Sequence, residues 1–288
     1  MKSSRFASCL SALVLASLPA PAAALPDAPF RQPMAVRLAQ APELDGAEYR
    51  RLAVQRDGIA YVLTDKGVGR VFGERVALDQ SFRPLAGIVP LDLVGESGHV
   101  FYLFEDKLLS NDLAGQYHVA LPKGVYRSAA VNAEGVALLA APTNLLLVAG
   151  ASWTNLPFQV TRQTERVYAW GVQFFILAND TIYRMTGPQV DLFHRGTDLT
   201  ALGFRGAELF VGTTRGYYVL DLRSGKHLVP LQERLPATHI TALRPLPGAL
   251  WAGTTQGAFC QTEPGSFKYY ASKRWLPDDH VLDLQADP

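Results

Sequence analysis

A segment that recurs is the strongest constraint on this chain. "LWAGTTQGAFC", Leu250 to Cys260, is matched 41 residues upstream by "LFVGTTRGYYV", in which Leu209, Phe210, Gly212, Thr213, Thr214 and Gly216 hold the places of Leu250, Trp251, Gly253, Thr254, Thr255 and Gly257. Read alone, the stretch looks like a glycine-rich phosphate loop. Such a loop needs a Lys and a hydroxyl residue directly after its last glycine, or GxGxxG between a strand and a long helix. Here Gly257 leads into Ala258, Phe259 and Cys260. Neither loop is present, and the segment is a repeat before it is a site.

The two clearest copies start at Leu199 and Ile240. Each reads as a short strand, a Gly turn, a strand ending in Gly-Thr, a second turn, a third strand, and a fourth that closes on Leu-Pro. Four strands in about 40 residues is the period of a propeller blade. Four weaker copies precede them. One has Asp57-Gly58 as its first turn, Thr64 at the place of Thr254 and Gly67 at the place of Gly257. The next has Gly98 at the turn and Phe101 where Trp251 sits; the third has Glu134-Gly135, and the fourth Gly171 and then Asn179-Asp180. Runs such as "VFYLFEDKLL" are too apolar for a sheet with one wet face and suit blades covered on both sides. The expected fold is therefore an all-β propeller. Its six blades run over 43–88, 89–124, 125–160, 161–196, 197–236 and 237–277, after a lead-in at 25–42. Residues 278–288, "DDHVLDLQADP", match the first strand of a further repeat. Two explanations compete: a seventh blade cut short, or a strand that closes the ring against blade one. The first is preferred, because blade one already owns a first strand, Tyr49 to Val54.

The N-terminus reads as a secretory signal. Lys2 and Arg5 precede an apolar run, Phe6 to Ala20, and small residues place the expected cleavage after Ala24. The run is broken by Ser11, Ser17 and Pro19 and falls short of the roughly 20 apolar residues of a membrane anchor. The expected location is periplasmic or secreted. Once Cys9 is removed with the signal, Cys260 has no disulfide partner, and a lone cysteine reads as a small buried hydrophobe. Taking Lys2 and Arg5 from 27 basic residues leaves 25 against 26 acidic ones. A near-neutral, dispersed charge offers nothing to nucleic acid or anionic lipid.

"ITALRPLPGALWAGTTQGAF" followed by "FKYYASKRWLPDDHVLDLQAD" resembles the two-component-regulator propeller repeat, whose pattern is a Val or Ile strand, a Gly turn, "lWiGT", a second Gly turn, an aromatic-rich strand and "LPxxxV". The resemblance implies a propeller of the kind found in the sensing parts of membrane histidine kinases and in exported proteins. It carries no kinase or receiver segment with it.

Among single residues, Trp251 and its counterparts Phe210 and Phe101 read as core. Thr254 and Thr213, beside Gly253 and Gly212, read as blade-to-blade packing rather than as a ligand channel. Trp153, in the polar turn "GASWTNLP", is the candidate for stacking on a sugar or peptide. Trp170 falls at a strand end, and Trp275 reads as strand-end packing. Asp278, Asp279 and His280 form the one local acid-histidine cluster, best read as a turn whose carboxylates cap backbone amides. No HExxH, CxxC or GxSxG occurs. No catalytic residue, metal ligand or cofactor is assigned. The expected role is an exported, non-catalytic binding or sensing propeller for a glycan, peptide or partner protein. The alternatives are a metal-dependent propeller hydrolase or lyase and the leading domain of a longer enzyme or sensor. Three or more Asp, Glu, Asn or His side chains converging at the channel mouth would favour the enzyme.

Overall fold

The computed structural model describes residues 38–55, 57–79, 88–96, 99–112, 115–141, 144–156, 166–272, 275–276 and 278–286. The signal segment, Gly98 and Pro277 lie outside them. The apolar runs pair into six antiparallel sheets of four strands each, every one a meander in chain order. The first gains a fifth strand at its outer edge, Ala39–Gln40 parallel to Arg75–Leu78. The sheets stand in a ring as a six-bladed propeller. The first strand of each blade is the innermost: Tyr49–Val54, Asp92–Glu96, Ser128–Val131, Arg166–Trp170, Leu199–Arg205 and Ile240–Leu246. Together these strands wall a central channel. Among the described residues the one helical element is the 3-10 turn Pro42–Leu44.

Each blade buries both faces, which explains the continuous apolar runs. Phe210 and Val219 of blade five pack with Ile240, Leu250 and Phe259 of blade six, and the same layering recurs between the other neighbours. Polar side chains also fasten blade to blade. Arg184 donates to the Leu222 carbonyl, Asn132 to that of Val172, and Arg205 to that of Leu246.

The recurring Gly-Thr is explained by its own turn. The Thr254 hydroxyl donates to the Gly257 carbonyl at 2.7 Å and accepts from the Gln256 amide at 3.0 Å. Thr213 does the same with Gly216 and Arg215, and Thr64 with Gly67 and Lys66. All three threonines are buried. A hydroxyl that satisfies two backbone groups in a dry turn is worth repeating in every blade that has one. The expected blade-to-blade role of these residues falls partly to the preceding glycine. A Cβ on Gly212 would stand 2.7 Å from the Ile240 Cγ2, and one on Gly253 would stand 2.5 Å from the Val281 Cγ1.

That second contact locates the C-terminal segment. Val281 stands against blade six as Ile240 stands against blade five, so residues 281–286 follow the course of a seventh inner strand. The Val281 amide donates to the Thr254 carbonyl, and Thr241 donates to the Val281 carbonyl. Two residues on, the Asp283 carboxylate accepts from the Leu52 amide of blade one at 3.2 Å. The segment pairs in no ladder. It takes up the seam between the last and first blades, and Leu44 of the N-terminal turn, fully buried, lies over Gly69 on the blade-one side. The filling is incomplete. Leu243, Leu250 and Ala252 of blade six are buried, whereas Leu52, Ala60 and Val62, their equivalents in blade one, are half-exposed.

Candidate functional site

The central channel encloses a cavity of about 890 Å³, within the range of small-molecule sites. Its chemistry follows from one level of the inner strands. In each blade one residue pairs across the first ladder with the position just before the second turn. These residues are Arg51, Asp92, Ser128, Arg166, Ala201 and Ala242, opposite Leu63, Leu103, Ala140, Leu177, Gly212 and Gly253. Asp283 takes the seventh place, two residues after Val281.

The charged members of this level pair off. Arg51 Nε donates to Asp92 Oδ1 at 3.1 Å, and Arg166 Nη2 lies 3.8 Å from Asp283 Oδ1. Burial opposes the charge on Arg166, yet the Tyr168 oxygen and then the Asp283 and Asp92 carboxylates hold its pKa above the ordinary value. The guanidinium also lies 5.2 Å from the centre of the Tyr168 ring. Each carboxylate is further held by main-chain amides: Asp92 accepts from Leu93 and from Ala129 of the next blade, and Asp283 from Leu284 and from Leu52. Asp92 and Asp283 therefore make the same contact at two different seams. Arg244, two residues beyond Ala242, is exposed, lines the channel and has no ion-pair partner among the described residues.

The residues singled out in the sequence lie elsewhere. Trp153 is 42% exposed on the outermost strand of blade three, Ser152–Leu156, opposite Val148 and away from the channel. Phe210 and Phe101 are buried, but Trp251 is half-exposed and stacks on Tyr270 at 5.4 Å. The expected core role of Trp251 is thus only half met: a whole blade covers Phe210, while only the terminal segment follows blade six. Trp170 does line the channel; it stacks on Phe204 and donates to the Gly206 carbonyl. Trp275 packs edge-on against Tyr270. Asp278 accepts from the His280 amide and Asp279 from that of Ser272. Among the described residues no three His, Cys, Asp or Glu side chains are grouped to hold a metal ion.

A smaller crevice, about 170 Å³, lies at the outer strands of blades four and five. His194 Nε2 is 2.9 Å from the Tyr218 hydroxyl, and the His227 ring centre is 5.6 Å from that of His194. Burial, then the neighbouring His227, lowers the His194 pKa. Its native state resists protonation while the unfolded chain protonates near pH 6.5. Stability is therefore unaffected by this group above that pH, is lost as pH falls below it, and levels off under the lowered native pKa. Urea midpoints at pH 7.5 and 5.5 are expected to differ less in His194→Gln than in the parent. An unchanged difference would show that His194 does not carry the effect.

No protein-family model and no curated protein matches the sequence. Solved structures share the fold. The extracellular domain of a putative hybrid two component system from B. thetaiotaomicron aligns at 12% identity and a TM-score of 0.67, over 87% of this chain and 37% of that one. The Pan2 WD40 domain of Neurospora crassa aligns at 12% and 0.60, over 81% of each chain. Virginiamycin B lyase from Staphylococcus aureus, solved with quinupristin, aligns at 11% and 0.60, over 78% of this chain and 84% of that one. At such identities the likeness is one of fold, the propeller that the repeat implied. The chain spans about a third of the length of the two component system domain.

Proposed function

We propose that this chain is an exported, non-catalytic binding or sensing propeller that takes a glycan, peptide or segment of a partner protein at the mouth of its central channel. The observation that carries this reading is the state of the two channel carboxylates. General acid–base work needs a carboxyl with a free lone pair aimed at substrate. Asp92 and Asp283 are instead bound by two amides each and faced by arginines. Export is supported by the N-terminal address, Lys2 to Ala24, and by the likeness to an extracellular domain. Among the described residues no helix is long and apolar enough to cross a membrane.

The test is a thermal-shift screen against neutral and acidic glycans and short peptides, with product analysis of every hit. A ligand at a hundred times its Kd adds about 2.7 kcal/mol, a rise of roughly 5–10 °C for a chain of this size. A hit that is recovered unaltered supports the reading. Turnover of the hit, or no shift with any member, sinks it.

A further inference from the structure

We propose that the Leu243 amide and the Arg244 guanidinium form a carboxylate-binding subsite in the channel wall between blades five and six. The proposal rests on the binding function above and names the chemistry of its ligand.

Equivalent amides around the ring are not equally satisfied. The residue after each member of the channel level has an amide that its own ladder does not claim, and side-chain oxygens meet these amides around the ring. Asp283 accepts from Leu52, Asp92 from Ala129, Ser128 from Val167 at 3.3 Å, and Tyr168 from Leu202 at 3.3 Å. Leu93 and Leu284 are met by their own neighbours, Asp92 and Asp283. Leu243 has the same register in blade six that Leu202 has in blade five, with the same bulge two residues earlier. No side-chain oxygen meets its amide among the described residues. The two positions that would supply one are Ala201, at the place of Asp92, and Gly203, at the place of Tyr168. Gly203 cannot be enlarged, because a Cβ there would lie 2.7 Å from the Pro245 Cδ.

The missing acceptor and the spare charge fall at neighbouring residues. Arg51 with Asp92 and Arg166 with Asp283 leave Arg244 as the unpaired cation of the described channel wall. A carboxylate supplies what both lack. One oxygen takes the place on Leu243 that an Asp92 oxygen takes on Ala129 at 2.9 Å, and the other accepts from the guanidinium. Two ligand sources share this group, an acidic sugar and a peptide C-terminus.

Titration calorimetry with galacturonate against galactose, and with trialanine against its C-terminal amide, tests the subsite and separates the sources. One acid is expected to bind at least ten-fold tighter than its neutral counterpart. Arg244→Gln and Ala201→Ser are each expected to remove that advantage. Ser128 shows that a serine at this level can cap the next amide, and Arg244 is exposed, so both variants are expected to fold. Equal binding within both pairs, an advantage that survives both substitutions, or no binding by any of the four probes overturns the subsite. A neutral glycan that still raises the Tm in those cases leaves the binding function standing.

Discussion

Gly216→Ala is expected to cost more than about 4 kcal/mol, far above the roughly 1 kcal/mol of an average substitution. Gly216 has φ +145°, a conformation that residues with a Cβ rarely adopt, and the added Cβ would stand 1.9 Å from the Gln232 carbonyl oxygen. Backbone strain of this kind costs about 1–3 kcal/mol. A clash with main chain adds to it, because the Gln232 oxygen belongs to the outer strand His227–Gln232 and moves only with it. The same turn in other blades makes a graded series. At Gly257, φ +131°, the obstacle is the Tyr270 oxygen at 2.6 Å. At Gly67, φ +135°, it is the Leu78 Cδ2 at 3.2 Å, the end of a side chain that can turn aside. Thermal melts of the three alanine variants should therefore rank Gly216 worst and Gly67 mildest, with a Tm loss at Gly216 of roughly 10 °C or more. A loss at Gly67 equal to that at Gly216 would show that φ alone, and not the close approach, sets the penalty.

These turns were legible in the sequence because each is local: hydroxyl, glycine and amide lie within four residues, and the pattern recurs in blades one, five and six. The blade fold was legible for the same reason. What the threonines do was less so, since a β-branched residue in a strand suggests packing and its hydroxyl contact to its own turn leaves no separate trace. The channel site was hidden. Arg51, Asp92, Arg166 and Asp283 are far apart along the chain, and each alone reads as a charge at a strand end. One signal was available. Arg51 and Asp92 are separated by the repeat length, as are Ala201, Ala242 and Asp283, so aligning the copies column by column places them at one level. Trp153 was legible as an exposed ring because a tryptophan among polar residues announces exposure, whereas an arginine on an inner strand announces nothing until the strands are arranged in a ring.

Asp283→Ala tests whether the ring is held shut by the bond that Asp92 makes between blades two and three. The seam between blades six and one leaves Leu52, Ala60 and Val62 half-exposed. Apolar burial contributes less there than between blades five and six, and directed bonds carry more of the closure. Asp283, 9% exposed, accepts from Leu52 in blade one and faces Arg166, 24% exposed, in blade four. Removing it leaves a largely buried guanidinium with one carboxylate fewer. Breaking a buried pair from one side costs about 3 kcal/mol or more, a Tm loss of roughly 6–12 °C. Asp283→Asn keeps an oxygen for the Leu52 amide and should lose less. Converting Arg166 to Met as well should return part of the alanine loss, because the stranded charge goes with it. A parent-like melt for Asp283→Ala would mean that the segment 281–286 rests on the seam without holding it. A loss that Arg166→Met does not relieve would place the closure in the Leu52 contact alone. Asp92 makes that contact to Ala129 inside the ring, between two complete blades, so the same substitution there should cost less global stability. Comparing Asp92→Ala with Asp283→Ala thus separates the strength of the bond from the weakness of the seam it spans.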